Sequence, residues 1–366
     1  MKILEIIPQL SQGGAEKFVV DLANQLSEHH DVTLVVLHKK DENSLFFDKI
    51  GPGVKVITLE KKAGFDFKMF VRINNLVKKC RPDIIHTHLR SILYVMYTFV
   101  LHRKIKFIHT VHNDAQMEAG GLLGKLIRNI LFRLGVTPVT ISDNSKISFT
   151  TFYNLPSELI YNGASEYTVT ENLDETRGVI SKIRKSESSL LLVNIARISV
   201  QKNQQMLVDA VANLRNRGYD IELMIIGACE DEQRKEKILS CNYDFIHIMG
   251  SRSNPRDYVK LADAFCLSSL YEGMPISLIE CFSVGTIPIC TPVGGINDMI
   301  VDGENGILTS GINVQSIEEA ILRFISMTTR AREEMKHNSL MTFDKYSMQS
   351  CAYQYENLMF KLLEDE

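Results

Sequence analysis

Short apolar runs alternate with longer amphipathic stretches along the first 160 residues. Strands are predicted where β-branched and apolar residues follow one another, and helices where apolar residues recur with a period near 3.6. The predicted strands cover residues 2–8, 31–38, 54–60, 82–88, 106–112 and 138–142, and the predicted helices 14–29, 66–80, 89–101 and 121–134. Continuous apolar strands separated by helices predict a doubly wound α/β domain with a parallel sheet.

The same alternation starts again after a polar stretch, residues 162–189, in which we place the interdomain linker. The second half is predicted to contain strands 190–196, 221–227, 245–250, 264–269 and 287–292 and helices 203–217, 230–240, 255–262 and 275–284. An amphipathic stretch at 347–363 is predicted to cross back onto the first domain. We therefore expect two Rossmann-like domains, 1–165 with 345–366 and 166–344, that face each other across a cleft at the carboxyl ends of their strands.

The length and composition agree with a two-domain globular protein. The chain has 366 residues, 45% of them hydrophobic and 23% charged, which excludes wholesale disorder. Its seven cysteines are scattered and never spaced Cys-x-x-Cys, which favours reduced thiols and no zinc site. The longest apolar stretch, residues 92–101, is too short to span a bilayer, and the N-terminus is typical of a core strand rather than a signal peptide. We therefore expect a cytoplasmic protein.

Charge is distributed unevenly between the two halves. Residues 1–165 contain 21 lysines and arginines against 15 acidic residues, whereas the remainder contains 20 against 29. This asymmetry is either ordinary variation of solvated faces or the sign of an anionic substrate or membrane surface at the first domain. A helix at 124–133 that carries Lys125, Arg128 and Arg133 among apolar residues either packs into the core or docks on anionic lipid. Nucleic-acid binding is disfavoured, because no dense basic stripe with interleaved aromatics is present.

Three motifs carry candidate chemistry. The first strand runs into Ser-Gln-Gly-Gly-Ala-Glu at residues 11–16, which is either a tight turn or a phosphate-binding helix start. The sequence there is neither Gly-x-Gly-x-x-Gly nor a nucleotide-hydrolysing P-loop. Arg197 and Lys202 follow another strand end and together could neutralise a diphosphate, or could be two solvated cations.

The third motif, residues 272–280, is the most specific. Pro275 is predicted at the first helical position, so that Glu272 stands on the preceding loop and Glu280 lies about one and a half turns into the helix. The amides between them, at a helix start, suit a phosphate, and the two carboxylates suit sugar hydroxyls. The alternative is that Glu280 is a surface residue and Glu272 an N-cap-like charge.

These motifs together resemble the retaining glycosyltransferases of family 4, which have the GT-B fold. The resemblance includes Gly-Gly-Ala-Glu, the strands ending His-Thr-His and Thr-Val-His, Asn-Gly before the linker, Arg-x4-Lys-Asn, Glu-Gly-Met-Pro-Ile-Ser-Leu-Ile-Glu and the Gly-Gly segment at 294–308. It covers nearly the whole chain in the family's order. Ala164-Ser165 departs from the family's usual hydrophobic-Asp, which leaves the local hinge and acceptor contacts open.

The resemblance implies roles for single residues. Arg197 and Lys202 match the pair that holds the donor diphosphate, Glu272 the contact to donor-sugar hydroxyls, and His112 the histidine beside the reacting carbon, so these four are the expected catalytic residues. Glu280 matches the ribose contact, and His86, His88 and His109 are interpreted as structural. The remaining expected donor-binding residues are Gly14, Gly250, Arg252, Gly273, Met274, Pro275, Ile276 and Ser277.

The resemblance also implies the reaction. A hexose or N-acetylhexosamine would pass, with retention, from a nucleotide-diphospho-sugar, favoured to be a UDP-sugar, to a saccharide or polyprenyl-diphosphate-linked acceptor in bacterial polysaccharide synthesis. No Asp-x-Asp occurs, so we expect no metal and no other cofactor. Peripheral contact with the inner face of the plasma membrane is a further expectation. The alternatives are a GT-B-type nucleotide-sugar epimerase and a non-catalytic sugar-nucleotide-binding subunit.

Overall fold

The computed structural model describes residues 1–11, 13–41, 44–186 and 188–364. Two compact units divide the chain. Unit 1 consists of Met1–Ser165 with Tyr346–Glu366, and unit 2 consists of Glu166–Lys345. Each unit is built around its own parallel sheet, as the apolar strand pattern predicted.

The sheet of unit 1 has seven parallel strands in the order β3-β2-β1-β4-β5-β6-β7. These are β1 (Lys2–Ile7), β2 (Asp31–Val36), β3 (Lys55–Thr58), β4 (Ile84–His88), β5 (Lys106–Val111), β6 (Val136–Thr140) and β7 (Glu158–Leu159). The central strands β1, β4 and β5 are almost wholly buried, because helices cover both faces of the sheet. The strand order reverses between β1 and β4, the position at which open α/β sheets bind ligands.

Within the described residues, six helices of unit 1 precede the second unit. They are α1 (Gly14–Leu26), α2 (Lys68–Cys80), α3 (Ile92–Leu101), α4 (Ala115–Ala119), α5 (Leu122–Arg133) and α6 (Asp143–Tyr153), and 3-10 turns occur at Leu45–Lys49 and Leu89–Ser91. Helix α6 was not predicted, because its apolar residues do not recur strictly at the helical period. A reciprocal cap between Ser142 and Ser145 starts this helix, and Phe149 and Tyr153 bury its inner face.

The sheet of unit 2 repeats the same topology with six parallel strands, in the order β10-β9-β8-β11-β12-β13. The strands are β8 (Leu190–Ile195), β9 (Ile221–Ile226), β10 (Ile246–Gly250), β11 (Ala264–Leu267), β12 (Ile287–Cys290) and β13 (Ile307–Leu308). Here the order reverses between β8 and β11, the strands that precede the Arg197 and Glu272 motifs.

In the part of unit 2 that the structure describes, eight helices surround this sheet. They are α7 (Leu173–Ile183), α8 (Gln204–Asn216), α9 (Glu232–Ser240), α10 (Pro255–Leu261), α11 (Ile276–Ser283), α12 (Ile296–Met299), α13 (Val314–Ser326) and α14 (Thr329–Thr342). The boundary between the two units, after Ser165, lies inside the stretch 162–189 in which we placed the linker, and the middle of that stretch forms α7, a helix that was not predicted. This helix buries only a narrow face, and Asn254 Nδ2 donates to its Thr176 Oγ1 at 2.9 Å.

After a 3-10 turn at Phe343–Tyr346, the chain returns to unit 1 as helix α15 (Met348–Glu364), as predicted. This helix packs against α1 and buries Cys351, Tyr355 and Met359. Gly163 permits the close approach, since a Cβ there would lie 2.8 Å from Cys351 Cβ. Ala164, at the position where the sequence departs from the family pattern, donates its amide to Tyr346 O at 3.1 Å and accepts from the Met348 amide at 2.8 Å.

The interior of each unit is apolar around its sheet. Leu4, Ile85 and Phe107 lie in the core of unit 1, and Leu192 and Ile225 in that of unit 2. All seven cysteines are free thiols. Within the described ranges, every helix is too short or too polar to cross a lipid bilayer.

Candidate functional site

Arg197 and Lys202 occupy one loop of unit 2, between the carboxyl end of β8 and the start of α8. The loop is fixed by the buried Gln204, whose Nε2 donates to Arg197 O at 2.9 Å, and by Ser268 Oγ, which donates to Lys202 O at 3.0 Å. Arg197 Nη1 forms a half-exposed ion pair with Glu230. Backbone anchoring of both ends therefore holds two cations at the point where the strand order reverses.

Lys202 and Glu272 form the central pair of this site. Lys202 Nζ lies 2.5 Å from Glu272 Oε1, and the carboxylate side chain is 4% exposed. Ser269 Oγ donates to the same oxygen at 2.5 Å, and Gln201 Nε2 reaches Oε2 at 3.4 Å. The structure thus brings together two residues that the sequence separates by 70 positions, and their pairing is strong because little water reaches it.

Two glycines after β12 support the Glu272 loop, and no role was predicted for them. The Gly295 amide donates to Gly273 O at 2.9 Å, and a Cβ on Gly295 would lie 2.2 Å from that oxygen. Gly294 has φ +52°, and a Cβ there would lie 1.8 Å from Glu272 O. Only glycine fits at this contact, so the Gly-Gly segment shapes the loop that carries Glu272.

Helix α11 begins at Ile276, one residue later than predicted. Pro275 is the N-cap, with extended backbone, rather than the first helical residue. Ile276 and Ser277 are therefore the first two helical residues, whose amides have no partner within a helix and attract anions. Met274 and Ile276 are buried.

Glu280 is the fifth residue of α11 and is buried, so the alternative interpretation of Glu280 as a surface residue is wrong. Its Oε1 lies 3.9 Å from Arg256 Nε.

Gly250 and Arg252 lie two strands away from the loop of Arg197. Gly250 ends β10 with φ +65°, and its carbonyl accepts from the Gly227 amide at 3.0 Å. Gly227 in turn packs against Ala196 O, where a Cβ would lie 2.1 Å from the oxygen. Arg252 is exposed, and within the described part of the chain its Nη1 reaches Ser251 O at 3.5 Å. The structure does not bring Arg252 to the Lys202–Glu272 pair.

In unit 1, His112 directly follows β5 and is buried against the ring of Phe18, with ring centroids 5.5 Å apart. Its amide donates to Glu118 Oε2 at 2.7 Å, and its Nε2 lies 3.0 Å from His88 Nδ1. Burial and the neighbouring His88 hold the pKa of His112 well below its ordinary value. His112 is therefore a neutral, oriented imidazole at neutral pH.

A fully buried polar network continues behind His112. Glu5 Oε2 lies 2.8 Å from His88 Nε2, and Glu5 Oε1 lies 3.1 Å from His86 Nδ1. His86 Nε2 lies 2.7 Å from Thr110 Oγ1, which lies 2.8 Å from the hydroxyl of Tyr355 on α15. The prediction that His86 and His88 are structural did not anticipate this chain, which connects the core to His112.

Glu118 forms a second contact behind His112. Its Oε1 lies 3.2 Å from His109 Nε2, and the hydrogen bond with His109 holds the pKa of Glu118 below its ordinary value although burial alone would raise it. Asp114 caps α4 and so places Glu118 one turn into that helix.

The glycine-rich turn after β1 is described except for Gln12, which lies outside the described residues. Gly13 is the N-cap of α1, and the exposed Gly14 begins the helix. The buried Glu16 accepts from Ser11 Oγ at 2.9 Å and lies so close to Gly13 that a Cβ there would be 2.0 Å from its Oε2. The turn is thus tightly packed on its own helix.

Sequence reasoning missed four contributors: Glu5, Glu118, Glu230 and Gly295. Glu5 gave a signal, since it is a lone charge in an apolar strand and a buried carboxylate requires a partner. Among the described residues, one group of His, Cys, Asp and Glu side chains is close enough to hold a metal ion, namely Glu5, His86 and His88, with ligand atoms within 4.8 Å.

Comparison with known proteins adds to this geometry. Residues 178–340 match the family model "Glycosyl transferases group 1", and residues 12–166 match "Glycosyltransferase Family 4". An undecaprenol-linked-glycan α-1,4-N-acetyl-D-galactosaminyltransferase of Campylobacter jejuni is 26% identical over 84% of each chain. N-acetyl-α-D-glucosaminyl L-malate synthase of Bacillus anthracis is 23% identical over 97% of this chain and 96% of its own.

Solved structures share the fold over the whole chain. A glycosyltransferase of Rickettsia africae matches with TM-score 0.84 and 18% identity, covering 100% of this chain and 99% of its own. Anabaena HepE in complex with UDP and glucose matches with TM-score 0.82 and 16% identity, covering 99% of this chain and 100% of its own.

Proposed function

The chain belongs to the glycosyltransferases of family 4 and has their GT-B fold, and we propose that it is a retaining enzyme acting on a nucleotide-diphospho-sugar. The transferred group is a hexose or an N-acetylhexosamine, and the acceptor is a saccharide or a lipid-linked glycan. The observation that carries this proposal is the Lys202–Glu272 pair, held beside the start of α11 where the strand order of unit 2 reverses.

The donor fits this site by charge. Arg197, Lys202 and the amides of Ile276 and Ser277 present positive charge and N–H donors to a diphosphate. Both cations are already paired with carboxylates, so a diphosphate binds by replacing Glu230 and Glu272 as their partners. Glu272 is then available to accept hydrogen bonds from hydroxyls of the donor sugar, and Glu280 from those of the ribose. Gly14, Gly250 and Arg252 complete the proposed donor contacts.

In the proposed reaction, the sugar–phosphate bond breaks through an oxocarbenium-like transition state. Arg197, Lys202 and the loop amides stabilise the charge that develops on the leaving diphosphate, which is the largest contribution such a site can make. The departing phosphate oxygen takes the proton of the acceptor hydroxyl on the same face, so that configuration is retained. His112, neutral and oriented, contacts the donor sugar.

UDP is the favoured nucleotide, a choice that HepE supports because its structures hold UDP, UDP with glucose, or UDP-glucose. The proposed enzyme requires no metal, since cations and helix amides take over the neutralisation of the diphosphate.

Thermal unfolding with UDP, GDP, dTDP or ADP, each with and without EDTA, tests the donor site. A nucleotide at 100 times its Kd adds about 2.7 kcal/mol to the free energy of unfolding, so the matching nucleotide raises the Tm. We expect UDP to give the shift, with EDTA leaving it unchanged. A shift that EDTA abolishes contradicts metal independence, and no shift with any nucleotide contradicts the proposed donor site.

A lipid-linked acceptor is supported by two observations. The Campylobacter jejuni relative is named for an undecaprenol-diphosphate-linked glycan. Helix α5 exposes Leu122, Leu123, Leu126 and Ile130, with Leu122 at 88%. An exposed apolar stripe beside Lys125 and Arg133 suits peripheral binding to the anionic inner face of the plasma membrane.

The third cation of α5 does not belong to this surface. Arg128 is buried, and its Nη1 donates to Ala119 O at 3.2 Å. The expectation of three cations at the membrane was therefore wrong for Arg128.

Liposome flotation tests the membrane contact with a matched pair of variants. We expect the wild-type protein to float with anionic vesicles, and Leu122→Ser/Leu126→Ser to reduce the bound fraction severalfold because about 25 cal/mol per Å² of apolar burial is lost. Val301→Ser/Ile312→Ser, at exposed apolar positions of unit 2, is the control. Equal flotation of the two double variants, or no flotation of the wild type, contradicts the membrane proposal.

A further inference from the structure

In the buried chain of Glu5, His86, His88, Thr110 and Tyr355, the Glu5 side chain alone can only accept hydrogen bonds at neutral pH. Burial by itself would raise its pKa, but the charge of His86 and hydrogen bonds from His86 and His88 lower that pKa to about 2. Glu5 is therefore ionised, and an ionised carboxylate has no proton to donate. The facing nitrogens, His86 Nδ1 at 3.1 Å and His88 Nε2 at 2.8 Å, must both carry hydrogen.

The protonation of His88 then determines that of His112. Burial and the nearby His86 lower the pKa of His88 to about 3, so its ring is neutral and carries a single N–H. That hydrogen is on Nε2, facing Glu5, so Nδ1 is an acceptor. His112 Nε2 lies 3.0 Å from this acceptor and must donate to it. Since His112 is neutral too, its Nδ1 carries a lone pair and no hydrogen.

We propose that Glu5 is a positioning residue which, through His88, sets His112 in the Nε2–H tautomer and so makes His112 Nδ1 a hydrogen-bond acceptor. Among the described residues, His112 Nδ1 has no hydrogen-bond partner. The inference rests on the proposed function in one respect, that His112 meets the donor sugar. It then assigns the direction of that contact, because Nδ1 accepts a hydrogen bond from a sugar hydroxyl and donates no proton to the leaving group.

A metal ion at Glu5, His86 and His88 is the competing interpretation of the same cluster. Their ligand atoms lie within 4.8 Å of one another, but Glu5 is already paired with both histidines at hydrogen-bond distance. All three side chains are fully buried, and His86 has a second partner in Thr110. Every nitrogen and oxygen that would bind the ion is therefore satisfied without one. One equivalent of tightly bound metal in the purified protein would overturn the proposal.

Ring ¹⁵N chemical shifts of the histidines, measured by two-bond ¹H–¹⁵N correlation, report the tautomer directly. In the wild type we expect His88 and His112 to show protonated Nε2 and unprotonated Nδ1. This measurement needs no variant and no activity. A wild-type His112 with hydrogen on Nδ1, or with hydrogen on both nitrogens at pH 7.5, would overturn the proposal.

Two variants of Glu5 distinguish the effect of its hydrogen-bond acceptor from the effect of its side-chain volume. Glu5→Met fills the same space without an acceptor, and we expect a mixture of His112 tautomers with kcat reduced on the order of tenfold. Glu5→Gln keeps a carbonyl acceptor. His86 can change tautomer and accept from the amide N–H of the glutamine, because its other partner, the Thr110 hydroxyl, can either donate or accept. His88 and His112 then keep their tautomers and kcat is largely restored.

Glu222→Met is the matched control. Glu222 is a fully buried glutamate on β9 of the other sheet, with its Oε2 2.8 Å from His247 Nε2. It should leave the His112 tautomer and kcat unchanged. If Glu5→Met and Glu5→Gln change the His112 spectrum equally, or neither changes it, the positioning role is wrong. The nucleotide-dependent Tm shift reports the donor site of unit 2, so its absence would refute the proposed function while leaving the tautomer result to stand.

Discussion

The two units have the same strand order but stabilise their polar residues differently at the point where that order reverses. In unit 1 the cluster behind His112 is sealed in the sheet, and burial keeps His88 and His112 neutral beside the Glu5 carboxylate. In unit 2 the cluster around Lys202 is made of ion pairs on loops at the strand ends, and one of them, Arg197–Glu230, is half-exposed.

The difference follows from where each cluster sits. Glu5, His86, His88 and His109 lie within strands β1, β4 and β5, where water is excluded and a group must be satisfied by fixed neighbours. Arg197, Lys202 and Glu272 lie on loops, where a carboxylate partner can be exchanged for another anion. Unit 1 is therefore suited to orienting a neutral group, and unit 2 to binding and stabilising charge.

Removal of either cation of unit 2 should have the largest effect. We expect Arg197→Ala or Lys202→Ala to reduce kcat about 10² to 10³-fold, because each removes a donor to the leaving diphosphate. The measurement is initial-rate transfer from the nucleotide sugar identified by thermal shift.

Arg184→Ala and Lys185→Ala are the matched controls for these two variants. Arg184 pairs with Asp263 and Lys185 with Asp244, both before β8 rather than after it. Their turnover should stay near that of the wild type. Near-normal turnover of Arg197→Ala or Lys202→Ala would contradict the assigned roles of these cations.

A methyl group on Gly295 should have the next largest effect. Gly295→Ala places Cβ against Gly273 O, so the loop with Glu272 must shift, and we expect kcat/KM to fall on the order of tenfold because misplaced contacts cost rate. Gly178→Ala is the control, since that glycine lies in α7 with open space around it. Equal activities for the two variants would show that the close Gly295 contact does not position Glu272.

Acid should destabilise unit 1 before unit 2. Burial lowers the pKa values of His88, His109 and His112 in the folded state, that of His88 to about 3, so as pH falls from about 6.5 toward these lowered values the unfolded chain binds more protons than the folded one. Stability is lost as pH falls through that range, by up to about 1.4 kcal/mol per pH unit for each histidine. The lowered pKa of Glu5 causes a further loss of stability as pH falls from about 4.5 to 2.

Hydrogen exchange resolved by peptide and corrected for intrinsic rates can measure this difference. Between pH 7 and 5 we expect peptides of β1, β4 and β5 to lose protection, and peptides of β8 and β9 to keep theirs. Earlier loss in unit 2 would mean that the buried histidines do not dominate the acid response.

The sequence by itself determined the architecture of both sheets. Apolar runs of strand length alternate with stretches of helical period. They predict a parallel sheet covered by helices on both faces, because strands that are apolar on both sides must be buried on both sides. Local spacing also placed Glu272 and Glu280 on a loop and the helix that follows it, since eight residues across a helix start leave little freedom. Charge and residue type at these strand ends were enough to predict an anion-binding site.

Only the tertiary structure decided which polar side chains meet. Glu5 and His86 are 81 positions apart, and they pair because β1 and β4 are neighbours in register, with Glu5 opposite His86. Gly295 contacts Gly273 through loops after different strands, and Arg128 turns inward to a carbonyl on α4 although its neighbours on α5 face solvent. Periodicity reports which face of an element is apolar. It carries no information on the partner that satisfies a buried polar group, because that partner comes from wherever in the chain the fold places it.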